Sequence, residues 1–357
     1  MLTGHGDDIY LLGSGTDGTH YDDLVNFSSN VYQHFYHEEL YRYLSSCLTQ
    51  IGHYPHPTAQ PLQQQLASQL HIQPQHVVVT NGATEAIYLI ARTFPHLPSV
   101  IPSPTFSEYA DAVSRSTLHV HNPIARRGAV SIFPCSSNFE LQTFHSMLWL
   151  CNPNNPTGHV IPADLLRTSI LRHPNRLYII DASYAAYTLC ETMTPEEAVA
   201  LPNVILLHSM TKQFGIPGLR LGYITSNAAL IRQIETQLQP WSVSQLAVCA
   251  GGWLLDHADE YQFPLQQLIQ ERIRLTHRLN GHPLIARVHP SDCHILLLQS
   301  ATYPAAQLKQ YLLEQHHLLV RDASNFSGLT PYHLRIAVQD PDENDRFLQA
   351  LDQLNQR

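Results

Sequence analysis

Short apolar runs alternate with helix-length stretches between residues 76 and 209, and this alternation limits the possible folds more than any other feature of the chain. The runs are HVVVT (76–80), SVIPS (99–103), MLWLC (147–151), LYIID (177–181) and NVILLHS (203–209). Runs that are apolar throughout, rather than at every second position, are typical of parallel strands covered by helices on both faces. The pattern therefore predicts a large, mostly parallel α/β/α domain.

The pattern changes after Pro240. A long helical stretch follows at about 242–280, and strand-like runs then lie at 294–300, 317–323 and 333–339. This grouping of a long helical stretch and several strands indicates a second, smaller α+β domain. We therefore predict three parts: an N-terminal arm that packs on the smaller domain (1–50), the large domain (51–240) and the small domain (241–357).

Composition excludes several classes of protein. The net charge is −9 with no lysine- or arginine-rich run, so a nucleic-acid partner is not expected, because phosphate backbones require a basic surface. No apolar stretch approaches the roughly 20 residues of a membrane span, and MLTGHGDDIY lacks the features of a signal peptide. The six cysteines contain no C-x-x-C pair, and the 23 histidines contain no known metal-binding spacing. We expect a soluble, cytoplasmic protein without a metal, whose partner is a small molecule.

Polar residues follow several of the predicted strands. Asn81, Asn152, Asp181 and Ser209 stand at or just after the ends of four apolar runs. In an open α/β sheet, ligands bind at the carboxyl ends of the strands. At the first of these ends, Gly82 opens a helix whose free N–H groups suit a phosphate, although a plain helix cap would have the same sequence.

Two further strand ends carry candidate ligand contacts. The loop CNPNNPTGHV (151–160) contains two X-Pro steps and a glycine, which hold its asparagine side chains on a rigid backbone suited to orienting a ligand. A turn without a ligand is the alternative. Asp181 follows an apolar strand and needs a cation if it is buried, and Tyr184 lies three residues further on. A salt bridge to an arginine of the chain is the alternative there.

The stretch SMTKQFGIPGLRLGY (209–223) contains Lys212, which is one of only two lysines in the chain. Lys212 follows the strand that ends at Ser209, near the point where the other strand ends converge. Burial disfavours the ammonium form of lysine, and the neutral amine is the nucleophile that forms an imine. Arg220 is close enough in the chain to return to the same pocket and bind an anion.

Together these segments resemble the pyridoxal-phosphate enzymes of the aspartate-aminotransferase fold, fold type I. The resemblance rests on S-x-T-K with Arg220 eight residues after the lysine, on N-P-N-N-P-T-G, and on D-x-x-Y after a strand, in that order. It implies pyridoxal 5'-phosphate as the cofactor and Lys212 as the residue of the internal aldimine. It also implies that Asp181 pairs with the pyridine nitrogen and keeps the ring protonated as an electron sink.

The same resemblance assigns the remaining cofactor contacts. Asn155 and Tyr184 would bind the phenolic oxygen of the ring, and Phe106, in SPTFSEY, would stack on its face. The residues implied to hold the phosphate are Gly82, Ala83, Thr84, Ser209 and Arg220. Tyr54, in HYPHP, resembles a tyrosine that reaches the phosphate from a neighbouring subunit, which implies a homodimer with shared active sites.

Two groups of relatives resemble the chain in further segments, namely threonine-phosphate decarboxylases of cobalamin biosynthesis and histidinol-phosphate aminotransferases. GHGDDIY near the start, FSSN at 27–30 and IPGLRLGY combined with PWSV favour the decarboxylases. In that resemblance Arg335 binds the substrate carboxylate together with Asn155, and the residues around the substrate phosphate are Arg321, His5, Ser29 and Asn30. The same residues would serve an aminotransferase acting on histidinol phosphate or a related amino acid, which therefore stays open as the alternative.

Overall fold

The computed structural model describes residues 23–116 and 146–356 of the chain. Helices and strands in these ranges are numbered separately, in chain order. The strands are β1 (Val25–Asn26), β2 (Val77–Thr80), β3 (Ser99–Val100), β4 (Ser146–Cys151), β5 (Arg176–Asp181), β6 (Val204–Ser209), β7 (Gly222–Ser226), β8 (Ile285–Val288), β9 (Ile295–Ser300), β10 (Leu318–Leu319), β11 (Arg321–Asp322) and β12 (His333–Ala337).

The helices of the same ranges surround the two larger sheets that these strands form. They are α1 (Glu38–Cys47), α2 (Gln60–Gln69), α3 (Gly82–Thr93), α4 (Glu108–Ser116), α5 (Ala163–Arg172), α6 (Pro195–Ala200), α7 (Met210–Gln213), α8 (Ala228–Glu235), α9 (Gln245–Asp256), α10 (Leu265–Asn280), α11 (Ala305–His316) and α12 (Pro341–Asn355).

The larger sheet has the strand order β2-β7-β6-β5-β4-β3. Strands β3 to β6 are parallel neighbours, which confirms the predicted parallel α/β arrangement. Strand β7 runs antiparallel between β2 and β6, and the sequence analysis did not identify it as a strand. Its first two residues, Gly222 and Tyr223, follow the turn that contains Arg220 and are the last two of the stretch SMTKQFGIPGLRLGY.

Both faces of the larger sheet are buried. Along β5, Leu177 and Ile179 pack into one hydrophobic core, whereas Tyr178 and Ile180 pack into a second core on the other face. Successive side chains of a strand point to opposite faces, so a strand covered on both sides needs apolar residues at every position. This explains the uninterrupted apolar runs of the sequence.

The smaller sheet is antiparallel, with the order β11-β12-β9-β8. Helix α10 packs on β8 and α12, and α11 contacts β10, β11 and α12. The predicted long helix over 242–280 is instead two helices, since α9 ends at Asp256 and α10 begins at Leu265, directly after Pro264. A proline disfavours helical geometry in the residue before it. The first of the two helices, α9, packs against α1 and α2.

Residues 23–50 contact both parts of the protein. Strand β1 pairs in parallel with β10, and the carbonyl of Phe27 accepts a hydrogen bond from the N–H of Ala337 at 2.8 Å. Helix α1 lies instead against α9. The chain between β1 and α1 therefore passes from the smaller sheet to the segment that contains Lys212.

Among the helices that the structure describes, none combines the length and the apolar character that a bilayer crossing requires.

Candidate active site

The carboxyl ends of three adjacent parallel strands form the floor of a cavity of about 420 Å³. Cys151 at the end of β4 is in register with Asp181 at the end of β5, and Ser209 ends the next strand, β6. The sequence-predicted residues that line the cavity are Asn30, Ala83, Thr84, Phe106, Asn155, Asp181, Tyr184, Ser209, Lys212, Arg220, Arg321 and Arg335. The structure therefore brings together twelve candidates that are spread over most of the sequence.

Four other candidates have different positions. Gly82 lies under the guanidinium of Arg220 rather than in the wall of the cavity. Ser29 is buried, and its backbone N–H donates to Asn26 Oδ1 at 2.9 Å. Tyr54 is 87% exposed and is not among the described residues that line the cavity of this single chain. His5 lies outside the described residues.

One end of the cavity is built to bind an anion. The N-terminus of α3 presents backbone N–H groups there, and a helix N-terminus carries a partial positive charge. Gly82 has a φ of +76°, and a Cβ on it would lie 2.8 Å from Arg220 Nη2, so glycine lets the guanidinium sit directly on the turn. The hydroxyls of Ser209 and Thr211 lie 2.7 Å apart beside it. These groups are suited to a phosphate.

A buried carboxylate occupies the middle of the floor. Asp181 Oδ2 accepts a hydrogen bond from the Tyr109 hydroxyl at 2.7 Å, and Oδ1 accepts one from the backbone N–H of Ser183 at 2.9 Å. Burial raises the pKa of Asp181 above its ordinary value, while the hydrogen bonds from Ser183 and Tyr109 and the charge of Lys212 act against that rise. A carboxylate held in this way is suited to pairing with a cationic ring nitrogen.

Tyr109 offers a direct test of this arrangement. We expect Tyr109→Phe to weaken the binding of pyridoxal phosphate at least about tenfold, because the loss of a hydrogen bond to a charged carboxylate makes that carboxylate harder to ionise. The phenyl ring can keep its stacking on Trp149, which lies 5.7 Å away between ring centres. Affinity is measured by titrating the cofactor-free protein with pyridoxal phosphate.

Tyr178→Phe is the matched control for this test. Tyr178, on β5, is buried like Tyr109. Its hydroxyl, however, lies 2.8 Å from Ser169 Oγ, in the core on the other face of the sheet. Its removal should leave cofactor affinity unchanged. Equal losses of affinity in the two variants would show that Tyr109 supports only the fold.

Lys212 lies across the cavity with its amine held by the N-terminal arm. Its Nζ donates a hydrogen bond to Asn30 Oδ1 at 2.7 Å, and the amide nitrogen of Asn30 donates to the Tyr184 hydroxyl. One asparagine thus bridges the amine and the phenol that the sequence analysis assigns to the same ligand. Burial raises the pKa of Tyr184 well above its ordinary value, so its hydroxyl stays protonated.

Tyr187 and residues 35–37 of the arm fix the backbone around Lys212. The Tyr187 hydroxyl donates to the carbonyl of Lys212 at 2.8 Å, and His37 Nε2 lies 3.0 Å from the carbonyl of Gly215. Gly215 has a φ of +63°, and a Cβ on it would lie 2.2 Å from the ring of Phe35. The segment after the lysine is therefore fixed by close contacts with residues 35–37.

Arg335 is a buried cation on the side of the smaller sheet, with only 2% of its surface exposed. Its Nη1 donates to Asn155 Oδ1 at 2.7 Å, and its Nη2 donates to the carbonyl of Ser28. Both contacts leave the guanidinium at the wall of the cavity. A guanidinium fixed in one plane is suited to binding a carboxylate through two hydrogen bonds.

Arg321 is a second cation on the same side. Its Nη1 donates to the carbonyl of Asp322 at 2.6 Å and its Nη2 to Asn325 Oδ1 at 2.7 Å. Its guanidinium carbon lies 5.6 Å from the centre of the Phe326 ring. Asn325 and Phe326 also line the cavity, and together they hold Arg321 in one orientation.

Sequence reasoning missed several residues of the site. Tyr109 stands three residues after Phe106 in the quoted segment SPTFSEY, and this closeness in sequence to a predicted residue was the available signal. Thr211 lies inside S-M-T-K, beside two predicted residues. His294 had no signal, because it reaches Asn30 across 264 residues of sequence.

The residues of the cavity fit pyridoxal 5'-phosphate. The helix terminus, the two hydroxyls and Arg220 suit its phosphate, and Asp181 suits its ring nitrogen. The amide of Asn155 and the hydroxyl of Tyr184 suit its phenolic oxygen, and the amine of Lys212 is the group that reacts with its aldehyde. Each functional group of the cofactor therefore has a chemically matched partner in one cavity.

Comparisons with known proteins relate the chain to one family. The family model described as aminotransferase class I and II matches residues 22–351. The threonine-phosphate decarboxylase of Salmonella typhimurium is 30% identical over 92% of this chain and 91% of that protein. A histidinol-phosphate aminotransferase of Thermoanaerobacter sp. is 30% identical over 86% of this chain and 85% of that protein. The crystal structure of L-threonine-O-3-phosphate decarboxylase from Porphyromonas gingivalis has a TM-score of 0.84 and 32% identity, and the match covers 93% of this chain and 99% of that chain.

Proposed function

The chain belongs to the aminotransferase class I and II family, and on this basis we propose that it is a pyridoxal-phosphate-dependent lyase that decarboxylates L-threonine O-3-phosphate. The products would be (R)-1-aminopropan-2-yl phosphate and carbon dioxide, in the biosynthesis of cobalamin. The observation that carries this choice of reaction is the match to the decarboxylase from Porphyromonas gingivalis, which extends over 99% of that chain.

The cavity offers the groups that this reaction requires. When bound, pyridoxal phosphate supplies an electron sink for the pair left on the substrate's α-carbon. Arg335, fixed by Asn155 and the carbonyl of Ser28, would hold the substrate carboxylate in one orientation and so favour loss of the carboxylate from the α-carbon.

Lys212 would then deliver a proton to the α-carbon after carbon dioxide has left. Its Nζ is held by Asn30 at 2.7 Å, so the amine has a fixed position when it is not attached to the cofactor. A positioned amine of this kind is an effective general acid. The carbonyl of Lys212, bound by the Tyr187 hydroxyl, fixes the base of the side chain.

Arg321 is the cation that we propose for the substrate phosphate. It lies with Arg335 in the same cavity wall, and Asn325 fixes its orientation. Asn30 also lines the cavity, and its side-chain amide would form a hydrogen bond with the phosphate end of the substrate. His5 and Ser29 stay predictions for this part of the substrate.

An aminotransferase that acts on histidinol phosphate, or on a related amino acid, is the second candidate. It is favoured by the 30% identity to the histidinol-phosphate aminotransferase of Thermoanaerobacter sp.. The two reactions need the same cofactor contacts and the same proton donor. They differ in whether the α-carbon loses its carboxylate or its hydrogen.

Two parallel assays separate these candidates. The purified protein with pyridoxal phosphate is incubated with L-threonine O-3-phosphate, and carbon dioxide and aminopropanol phosphate are measured without any oxo acid. The second assay supplies histidinol phosphate and 2-oxoglutarate. We expect carbon dioxide in the first assay and no amino transfer in the second; amino transfer that depends on the oxo acid, without carbon dioxide, would reject the decarboxylase.

We also propose a homodimer, in which an exposed apolar patch formed by Leu48, Ile51, Tyr54 and Trp241 faces a second copy of the chain. Their exposed fractions are 51%, 64%, 87% and 50%, and the rings of Tyr54 and Trp241 lie 5.5 Å apart. Large apolar residues gathered at one place on a surface mark an interaction site. The proposed role of Tyr54 at the partner's cofactor phosphate places this patch at the interface.

A charge in the patch should therefore separate the subunits. We expect Ile51→Asp to convert a dimer into monomers in sedimentation velocity at micromolar concentration, because a carboxylate buried without a partner costs several kcal/mol. Leu171→Asp is the matched control, since Leu171 is 69% exposed on α5 and lies outside the patch. A dimer that survives the change at Ile51 would exclude this face as the interface.

Cytoplasmic location is part of the same proposal. Cys47, Cys151, Cys190, Cys249 and Cys293 are all free thiols in the described part of the chain. Thiols persist in reducing compartments, where disulfides rarely form. Fractionation of cells that produce the protein would test this location.

A further inference from the structure

His294 contacts Asn30, which lines the cavity, but has no role among the cofactor and substrate contacts proposed so far. It is 1% exposed and stands immediately before β9, in the part of the chain that carries the smaller sheet. Its imidazole stacks on the ring of Tyr187, with 3.8 Å between the ring centres and 25° between the planes. Its Nε2 lies 3.2 Å from the backbone oxygen of Asn30.

These contacts complete a closed loop of four residues around the reactive amine. Lys212 Nζ donates to the side chain of Asn30, whose backbone oxygen is bound by His294. His294 stacks on Tyr187, whose hydroxyl donates to the backbone oxygen of Lys212. Asn30 is thus fixed at its backbone by the same histidine that supports the tyrosine behind the lysine.

We propose that His294 is a positioning residue: by holding the backbone oxygen of Asn30, it places the Asn30 amide between the amine of Lys212 and the hydroxyl of Tyr184. Without this hydrogen bond, the peptide unit of Asn30 loses one anchor on the arm. The amide would then fail to keep its oxygen toward Lys212 and its nitrogen toward Tyr184. His294 acts through Asn30 and does not itself touch the ligand.

The protonation state of His294 suits this role. A carbonyl oxygen only accepts, so Nε2 carries the proton and Nδ1 does not. The pKa of His294 is lowered to about 3, mainly by burial and with a contribution from the charges of Arg335 and Lys212, whereas the hydrogen bond to Asn30 acts in the opposite direction. The imidazole therefore stays neutral near pH 7 and holds Asn30 without adding a charge beside the cation of Lys212.

Lysine signals in nuclear magnetic resonance provide the test, because the chain has only two lysines, Lys212 and Lys309. The full-length protein, free of pyridoxal phosphate, is labelled with ¹³C-lysine, and Lys309 on α11 serves as the internal reference. His294→Phe keeps a ring for Tyr187 but removes the N–H donor. His294→Gln is the matched variant, since its side-chain N–H can reach the same oxygen.

The expected result is a specific pattern of shifts. The Lys212 Cε signal should move in His294→Phe and in Asn30→Ala, and the double variant should move it no further, because both changes break the same connection. His294→Gln should leave the signal in place, and the Lys309 signal should not move in any variant. In the enzyme with its cofactor, His294→Phe should lower kcat about tenfold, the size expected for one lost hydrogen bond, with KM unchanged.

Several outcomes would overturn the proposal. A Lys212 signal that stays in place in His294→Phe but moves in Asn30→Ala would show that His294 does not position Asn30. If His294→Phe does not fold, His294→Gln decides, and a signal that moves in it as far as in Asn30→Ala contradicts the proposal. The catalytic meaning of His294 rests on the proposed function, but the signal needs neither substrate nor cofactor, so the two can fail separately.

Discussion

Replacing Lys212 with alanine should abolish catalysis, with a loss of at least about 10³-fold, and should remove the chromophore that borohydride fixes to the protein. Lys212 is the only lysine that lines the described part of the cavity, and its amine is held 2.7 Å from Asn30 Oδ1. Alanine removes both the amine that attaches the cofactor and the proton donor. Absorbance spectra and borohydride reduction followed by peptide mapping measure the change.

Lys309→Ala is the control for this prediction. Lys309 lies on α11, away from the residues that line the cavity, so its loss should leave colour and activity intact. Phosphate, ring nitrogen and phenolic oxygen keep their partners in Lys212→Ala, so this variant should still bind the cofactor reversibly. Retention of a chromophore that borohydride fixes to the protein would contradict the assignment of Lys212.

The free energy of unfolding should fall steeply as the pH is lowered below about 6.5. The pKa of His294 is lowered to about 3 by burial, and burial also lowers the pKa of His208 to about 3. Between these values and 6.5, each of these two histidines binds a proton in the unfolded chain but not in the folded chain. The stability from these groups is therefore complete above pH 6.5 and is lost as the pH falls toward 3, at about 1.4 kcal/mol per pH unit for each histidine.

Urea unfolding at a series of pH values measures this slope. His208→Gln and His294→Gln should each flatten it by about 1.4 kcal/mol per pH unit, whatever their effect on stability at pH 7. His208 stacks on Tyr223 at 4.4 Å, outside the cavity, so its variant separates acid sensitivity from the site. His53→Gln, at an exposed histidine, is the control and should leave the slope in place. An unchanged slope in His208→Gln would disprove the explanation.

The residues at the strand ends could be predicted because the sequence itself encodes their positions. An uninterrupted apolar run specifies a strand covered on both faces, and the polar residue that ends it must then lie at the edge where parallel strands open. Asp181 and Ser209 were placed by this argument alone, and the cavity contains both. The specific order of the surrounding motifs indicated the fold type and the cofactor.

The remaining contacts depend on residues that are distant in sequence. Tyr109 reaches Asp181 across 72 residues, and nothing in either segment specifies that their helix and strand meet at this point. Strand β7 was missed because its pairing with β2, which is distant in the sequence, is not encoded in the short run GYITS. Such features follow from how helices and strands pack, which local patterns do not encode.

The loop of contacts around Lys212 also has a consequence for the order in which the protein folds. Its amine meets Asn30 across 182 residues, His294 meets Asn30 across 264, and Arg335 meets the carbonyl of Ser28 across 307. Contacts of such high sequence separation form late, because the entropy of closing long loops must be overcome first. During synthesis, Lys212 would therefore first be an ordinary amine. Its contact with Asn30 would form only after distant segments of the chain have come together.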